Sequence, residues 1–131
     1  MPSSMLMQLV VTADAPAQAR AAVNASWSGD PRAEAALLAT SEVVTNALLH
    51  GDLGHDDVIE LRLSDDGDHL RVGVLNRSAN GFSTDEVAAL HGRHGAADAL
   101  VGGWGLDIVG AVSSRWGVQH DGARTLVWFE V

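Results

Sequence analysis

Two stretches of this chain alternate apolar and polar side chains on either side of a tight turn, and they restrict the fold more than any other feature. Val58 to Ser64 reads as a half-buried strand, Asp65-Asp66-Gly67-Asp68 as a turn, and Leu70 to Leu75 alternates again. Trp116 to His120 and Thr125 to Val131 repeat the arrangement around Asp121-Gly122. Strands joined so closely pair antiparallel, and a sheet of this kind with one apolar face needs a cover. Helical segments supply it. Met5 to Thr12, rich in β-branched and apolar residues, predicts a further strand, after which Ala13-Asp14-Ala15-Pro16 opens an alanine-rich helix to about Trp27. Ser28-Gly29-Asp30-Pro31 breaks that helix. Asp30 is placed to cap the next one, with Pro31 in its first turn, and that helix runs to roughly His50, where Gly51 stops it. Leu106 to Ser114 resumes helical spacing. Between Asn76 and Gly103 the pattern loosens around several glycines, with a short helical candidate at Thr84 to His91, as suits a mobile loop. Hairpin-paired strands with helices on one face predict an α+β fold, a two-layer sandwich.

At 131 residues, 47% of them hydrophobic, residues 1–131 fit a single domain with one core. Eight basic residues, all arginine, against seventeen acids give a net charge of −9, which opposes binding to nucleic acid or to an anionic membrane. Cysteine is absent, which removes disulfides, thiolate metal sites and cysteine nucleophiles. Lysine is absent too. A Walker A loop, a protein-kinase strand lysine and Schiff-base chemistry each need that amine, so none of them operates here. Met1 to Gln8 lacks the basic and apolar segments of a signal peptide, and no run reaches membrane-spanning length, so a cytoplasmic protein is expected.

The polar residues inside the second helix are the first candidates for chemistry. Glu42 and Asn46 stand one turn apart on one side of it with His50 beyond, while Val43, Val44, Ala47 and Leu48 fall on the other side and can pack on a sheet. A carboxamide oxygen is a hard, neutral ligand suited to Mg²⁺ when phosphates and waters complete its shell, and a carboxylate one turn earlier can position or deprotonate a hydroxyl. The same spacing also describes an ordinary solvent-facing pair on an amphipathic helix. Gly102-Gly103-Trp104-Gly105-Leu106 opens the third helix, where Gly103 and Gly105 let backbone amides approach phosphates; a flexible turn would use the same glycines. In His91-Gly92-Arg93-His94-Gly95, Arg93 is the candidate for terminal phosphates, and a metal at His91 and His94 has no clear third ligand. Trp116 and Trp128 fall in predicted strands and read as core.

Ser41-Glu42-Val43-Val44-Thr45-Asn46-Ala47-Leu48-Leu49-His50 closely resembles the N box of the GHKL ATPase superfamily, in the form carried by bacterial anti-sigma factor serine kinases. Gly103-Trp104-Gly105-Leu106-Asp107-Ile108-Val109 looks like that branch's second glycine box, and Gly122 to Phe129 resembles its terminal hairpin. The match spans nearly the whole chain in the same element order. It implies the Bergerat fold, a mixed, mostly antiparallel sheet with helices on one face and ATP held between the N-box helix and a lid. By that resemblance Glu42 is the catalytic base and Asn46 the Mg²⁺ ligand; Gly103, Gly105 and Leu106, together with Arg93 as read from its own chemistry, complete the expected cofactor-binding set. The chain departs from the pattern at Asn76, in Val74-Leu75-Asn76-Arg77-Ser78, where the family has the aspartate that accepts a hydrogen bond from the adenine amino group. A carboxamide can still accept that bond and can donate to the neighbouring ring nitrogen. The implied partners are a sigma factor and an anti-anti-sigma protein of the STAS type. Relatives of this kind commonly dimerise, so homodimerisation is open to the chain. The competing expectation is a non-catalytic interaction module that keeps only partner binding.

Overall fold

The computed structural model describes residues 3–50, 57–77, 106–121 and 124–131. In chain order these form β1 (Ser3–Val10), α1 (Ala15–Trp27), α2 (Ala33–His50), β2 (Val58–Asp65), β3 (Leu70–Arg77), α3 (Leu106–Val112), β4 (Arg115–Asp121) and β5 (Arg124–Glu130). Each strand and helix expected over these residues is present, with ends unshifted or shifted by no more than three residues. The helical candidate at Thr84 to His91 and the turn at Gly122 lie outside the described residues.

The five strands make one sheet in the order β1-β2-β3-β5-β4, with all four pairings antiparallel. Alternation then sorts side chains onto two faces. Leu9, Ile59, Leu61, Leu63, Leu70, Val72, Val74, Val118, Val127 and Phe129 are buried on the helix-covered face. Helices α1 and α2 meet that face, and each other, through small residues: Ala15, Ala19 and Ala22 on one, Ala33, Ala36 and Ala39 on the other. Alanine there keeps the two axes close, and Val43, Val44 and Ala47 press α2 onto the sheet. Helix α3 packs against α2 through buried Val109.

The opposite face carries no helix among the described residues, and its centre is built around Trp128. The register partners of Trp128 are both glycines, Gly73 on β3 and Gly117 on β4. The indole lies so close over Gly117 that a Cβ there would sit 2.8 Å from its Nε1. The Arg71 guanidinium stacks on the same ring, 4.2 Å from its centroid. Trp128 is therefore not a core residue of the helix–sheet interface, as its place in an apolar strand led us to expect; strand parity puts it on the other side. Trp116 does face the helices and packs partly buried against the core. A shallow cavity of about 300 Å³ runs beside Trp128, bordered by Leu6, Arg62, Arg71 and Leu126.

The break between α1 and α2 follows its chemistry. Gly29 takes φ +87°, a left-handed conformation open to glycine, and Asp30 N–H donates to the Trp27 carbonyl at 3.0 Å. Asp30 Oδ1 then accepts from the Arg32 N–H at 2.9 Å, and the Arg32 guanidinium returns to both carboxylate oxygens at 3.0 and 2.9 Å. These bonds from the Arg32 side chain and backbone hold the Asp30 carboxyl at about 2, below its usual 3.8. Arg32 also donates through Nη1 to the Asp68 carbonyl at 3.1 Å, tying the start of α2 to the β2–β3 turn.

Two measurements check this account. Gly117→Ala forces a methyl group into the rigid indole and is expected to cost about 1–3 kcal/mol in chemical denaturation. At Gly73→Ala the nearest atom is the movable Leu126 Cδ1, at 3.3 Å, with Arg62 Cβ at an ordinary 3.6 Å, so this change is expected to cost less; equal losses would refute the packing described. For Asp30 the folded value lies below the unfolded one, so its ionised form stabilises fully above pH about 4, and that contribution fades as pH falls through about 2. The urea-midpoint difference between wild type and Asp30→Asn is therefore expected to be flat at neutral pH and to shrink at the acid end. A difference unchanged down to about pH 2 would contradict the Asp30–Arg32 coupling.

Candidate functional site

Helix α2 is apolar on its sheet side, and its polar residues cluster toward the C-terminal half. Ser41, Glu42 and Thr45 are half-buried there, and Ser41 Oγ accepts from Arg20 Nη1 of α1 at 2.9 Å. Asn46 is the departure from a simple solvent-facing stripe. It is only 8% exposed. Burying an amide costs roughly 1–3 kcal/mol unless a hydrogen bond satisfies it, so a buried asparagine here is suited to hold a bound polar group.

A second such amide lies across the interface. Asn76, near the end of β3, falls on the helix-covered face by parity with Val72 and Val74. It is 4% exposed, and its Nδ2 is buried without a partner. The contact between Arg32 and Asp68 sets the start of α2 level with the start of β3. From Arg32 to Asn46 a helix rises about 21 Å. From Leu70 to Asn76 a strand rises about 20 Å. Helix α2 and β3 are in contact, and these rises carry both asparagines away from that shared start, with Glu42 one helical turn before Asn46.

Thr125 completes the strand side of this region. It is the register partner of Asn76 on β5, it is 1% exposed, and it presents a hydroxyl to the same face. Sequence reading passed over Thr125 because threonine inside an apolar strand reads as a β-branched packing residue. Only the β3–β5 pairing, which joins residues about fifty positions apart, sets it beside Asn76. Thr40, also passed over, is fully buried in α2, and its Oγ1 has no partner among the described residues.

The remaining expectations divide by position. Leu106 opens α3, seven residues long and packed on α2, so the helix that follows the glycine cluster stands beside the N-box helix. Arg93, Gly103 and Gly105, and with them His91 and His94, lie outside the described residues. Among the described residues no group of three or more His, Asp or Glu side chains gathers to hold a metal, and no helix is long and apolar enough to cross a membrane. Glu42 and Asn46 thus lie on α2 and Asn76 on β3, two elements in contact, with Leu106 on the helix that adjoins α2. The donors present suit a ligand with both phosphate and base character: a hard amide oxygen on one wall, and an amide able to donate and accept on the other.

Comparison with known proteins agrees with this architecture. The fold is similar to that of the RsbU and RsbW domains of Rv1364c from Mycobacterium tuberculosis, with a TM-score of 0.64 at 22% identity over 98% of this chain and 32% of that one. This chain therefore spans about a third of the length of that structure. It is also similar to a chain of the SiaB–SiaC complex from Pseudomonas aeruginosa, with a TM-score of 0.66 at 14% identity, over 97% of this chain and 88% of that one. No curated protein matches the chain in sequence. The model of the histidine kinase-like ATPase domain matches residues 9–131, from the end of β1 to the last residue of the chain. That match takes in α2, both hairpins and α3, and it implies ATP as the ligand; the chain belongs to the histidine kinase-like ATPase domain family, within the GHKL superfamily.

Proposed function

We propose that this protein is a cytoplasmic, ATP-dependent regulator of the anti-sigma factor serine kinase type, which binds a sigma factor and phosphorylates a serine of an anti-anti-sigma partner. The observation that carries the reading is the pair of buried carboxamides on two elements in contact, Asn46 on α2 and Asn76 on β3, the second with its Nδ2 unpartnered among the described residues. In this reading Asn46 Oδ1 holds Mg²⁺, which supplies charge neutralisation at the phosphates. Asn76 takes the purine edge. The backbone at Gly103 and Gly105, ahead of Leu106, cradles the phosphates, and Arg93 offers a guanidinium to the terminal one.

Glu42 accepts the proton of the partner's serine hydroxyl as its oxygen bonds to the γ-phosphorus. The bond from that phosphorus to the β–γ bridging oxygen breaks, and its electron pair leaves with ADP. The protein's contribution is to orient the groups and to receive one proton, with positioning supplying most of the acceleration. A net charge of −9 suits a basic segment of a sigma factor, and phosphorylation of the STAS-type partner would leave the sigma factor bound to this protein.

One observation favours a second reading, in which the pocket is degenerate and regulation works by partner binding alone: the base-contacting position holds a neutral Asn76 where the family has a charged acceptor. A neutral acceptor is weaker by about 1 kcal/mol, roughly fivefold in affinity. Calorimetric titration with ATP, with and without Mg²⁺, separates the two. The kinase reading expects binding that strengthens with Mg²⁺ and loses that gain in Asn46→Ala. It also expects Glu42→Gln to bind ATP like wild type while phosphoryl transfer to the partner falls by about 10²–10⁴. Undetectable ATP binding, with partner binding intact, would establish the interaction module instead.

A further inference from the structure

We infer that the purine pocket accepts a 6-oxopurine nucleotide, GTP or ITP, about as well as ATP, because the side chain facing the base edge is the carboxamide of Asn76. The inference rests on the nucleotide reading above and concerns what that site selects. Adenine presents an amino donor beside a ring-nitrogen acceptor on this edge. Guanine and hypoxanthine present the reverse, a carbonyl acceptor beside a ring N–H donor. A carboxylate has only acceptors, so one held against the C6 substituent pairs with the adenine amino group and repels a carbonyl oxygen. A carboxamide carries one group of each kind, and a half-turn about its terminal torsion exchanges them.

Three features of the structure make that exchange available to Asn76. Its side chain is 4% exposed, so water does not compete for the amide. Its Nδ2 has no hydrogen-bond partner among the described residues, so no bond from that group holds the side chain in one orientation. Its backbone is fixed by pairing with Thr125, so the amide rotates without moving the strand. With adenine the oxygen accepts from the amino group and Nδ2 donates to the ring nitrogen. With an oxopurine Nδ2 donates to the carbonyl and the oxygen accepts from the ring N–H. Both amide groups are satisfied either way, and a site whose polar groups are satisfied by both ligands has little means of telling them apart.

Titration of the whole wild-type chain with ATP, GTP and ITP at saturating Mg²⁺ tests this. At least one oxopurine nucleotide is expected to bind within about tenfold of ATP. Asn76→Asp is expected to keep ATP while losing GTP and ITP by on the order of a hundredfold, since the carboxylate then meets the carbonyl oxygen. Wild type that binds ATP but prefers it over both oxopurines by more than tenfold overturns the inference and leaves the nucleotide site standing. Binding of none of the three sinks both. The wild-type ratio decides the matter even if the aspartate variant folds poorly.

Discussion

The fit of α2 along β3 is the constraint on which the rest of the structure depends. It is fixed at one end by Arg32, which caps its own helix through Asp30 and reaches the Asp68 carbonyl, and along its length by Ala36, Val43, Val44 and Ala47 against the sheet. Small residues leave no slack in such an interface, so helix and strand cannot slide without opening voids. That rigidity is what allows two polar groups far apart in the chain to face one region. The proposed chemistry needs positions held to a fraction of an ångström, and elements of secondary structure hold them better than loops do.

The same sheet has two unlike faces. On the covered face the strands contribute leucine, valine, isoleucine and Phe129, interrupted near one end by Asn76 and Thr125. On the other face Trp128 lies over Gly117 with Arg71 stacked on it, and Arg115 forms a hydrogen-bonded ion pair with the buried Glu130 at 2.6 Å. Buried charge is tolerated there because it is paired, and the glycines at 73 and 117 are the register partners that make room for the indole. Asn76 Nδ2 on the covered face has no such compensation among the described residues. An uncompensated amide in a packed interface is uncommon, and here it marks where a ligand belongs.

Much of the fold was legible because hairpins are local. The spacing of Val58 to Ser64 and Leu70 to Leu75 around Asp65-Asp66-Gly67-Asp68 predicts β2 and β3 without knowledge of any other element, and Asp30 with Pro31 marks the start of α2 by capping chemistry alone. Glu42 and Asn46 were legible as a pair for the same reason, since helical geometry is set by residues four apart. Three things were not. Whether Asn46 is buried or solvated depends on what packs beside α2. Trp128 reads as core from its apolar neighbours, yet parity within β5 turns it outward. Thr125 looks like strand packing until β3 is known to be its neighbour.

The sequence by itself therefore determined the elements, their order, the absence of any amine to grip phosphate, and the motif pattern that resembles the GHKL ATPases, because each of these is written in residue types and short spacings. The tertiary structure alone decided that Asn46 and Asn76 are buried on elements in contact, that Asn76 Nδ2 is without a partner among the described residues, and that Thr125 sits beside Asn76. Those facts depend on the β3–β5 register and on the seating of α2. Both are settled by burial between segments dozens of residues apart, which no local pattern encodes.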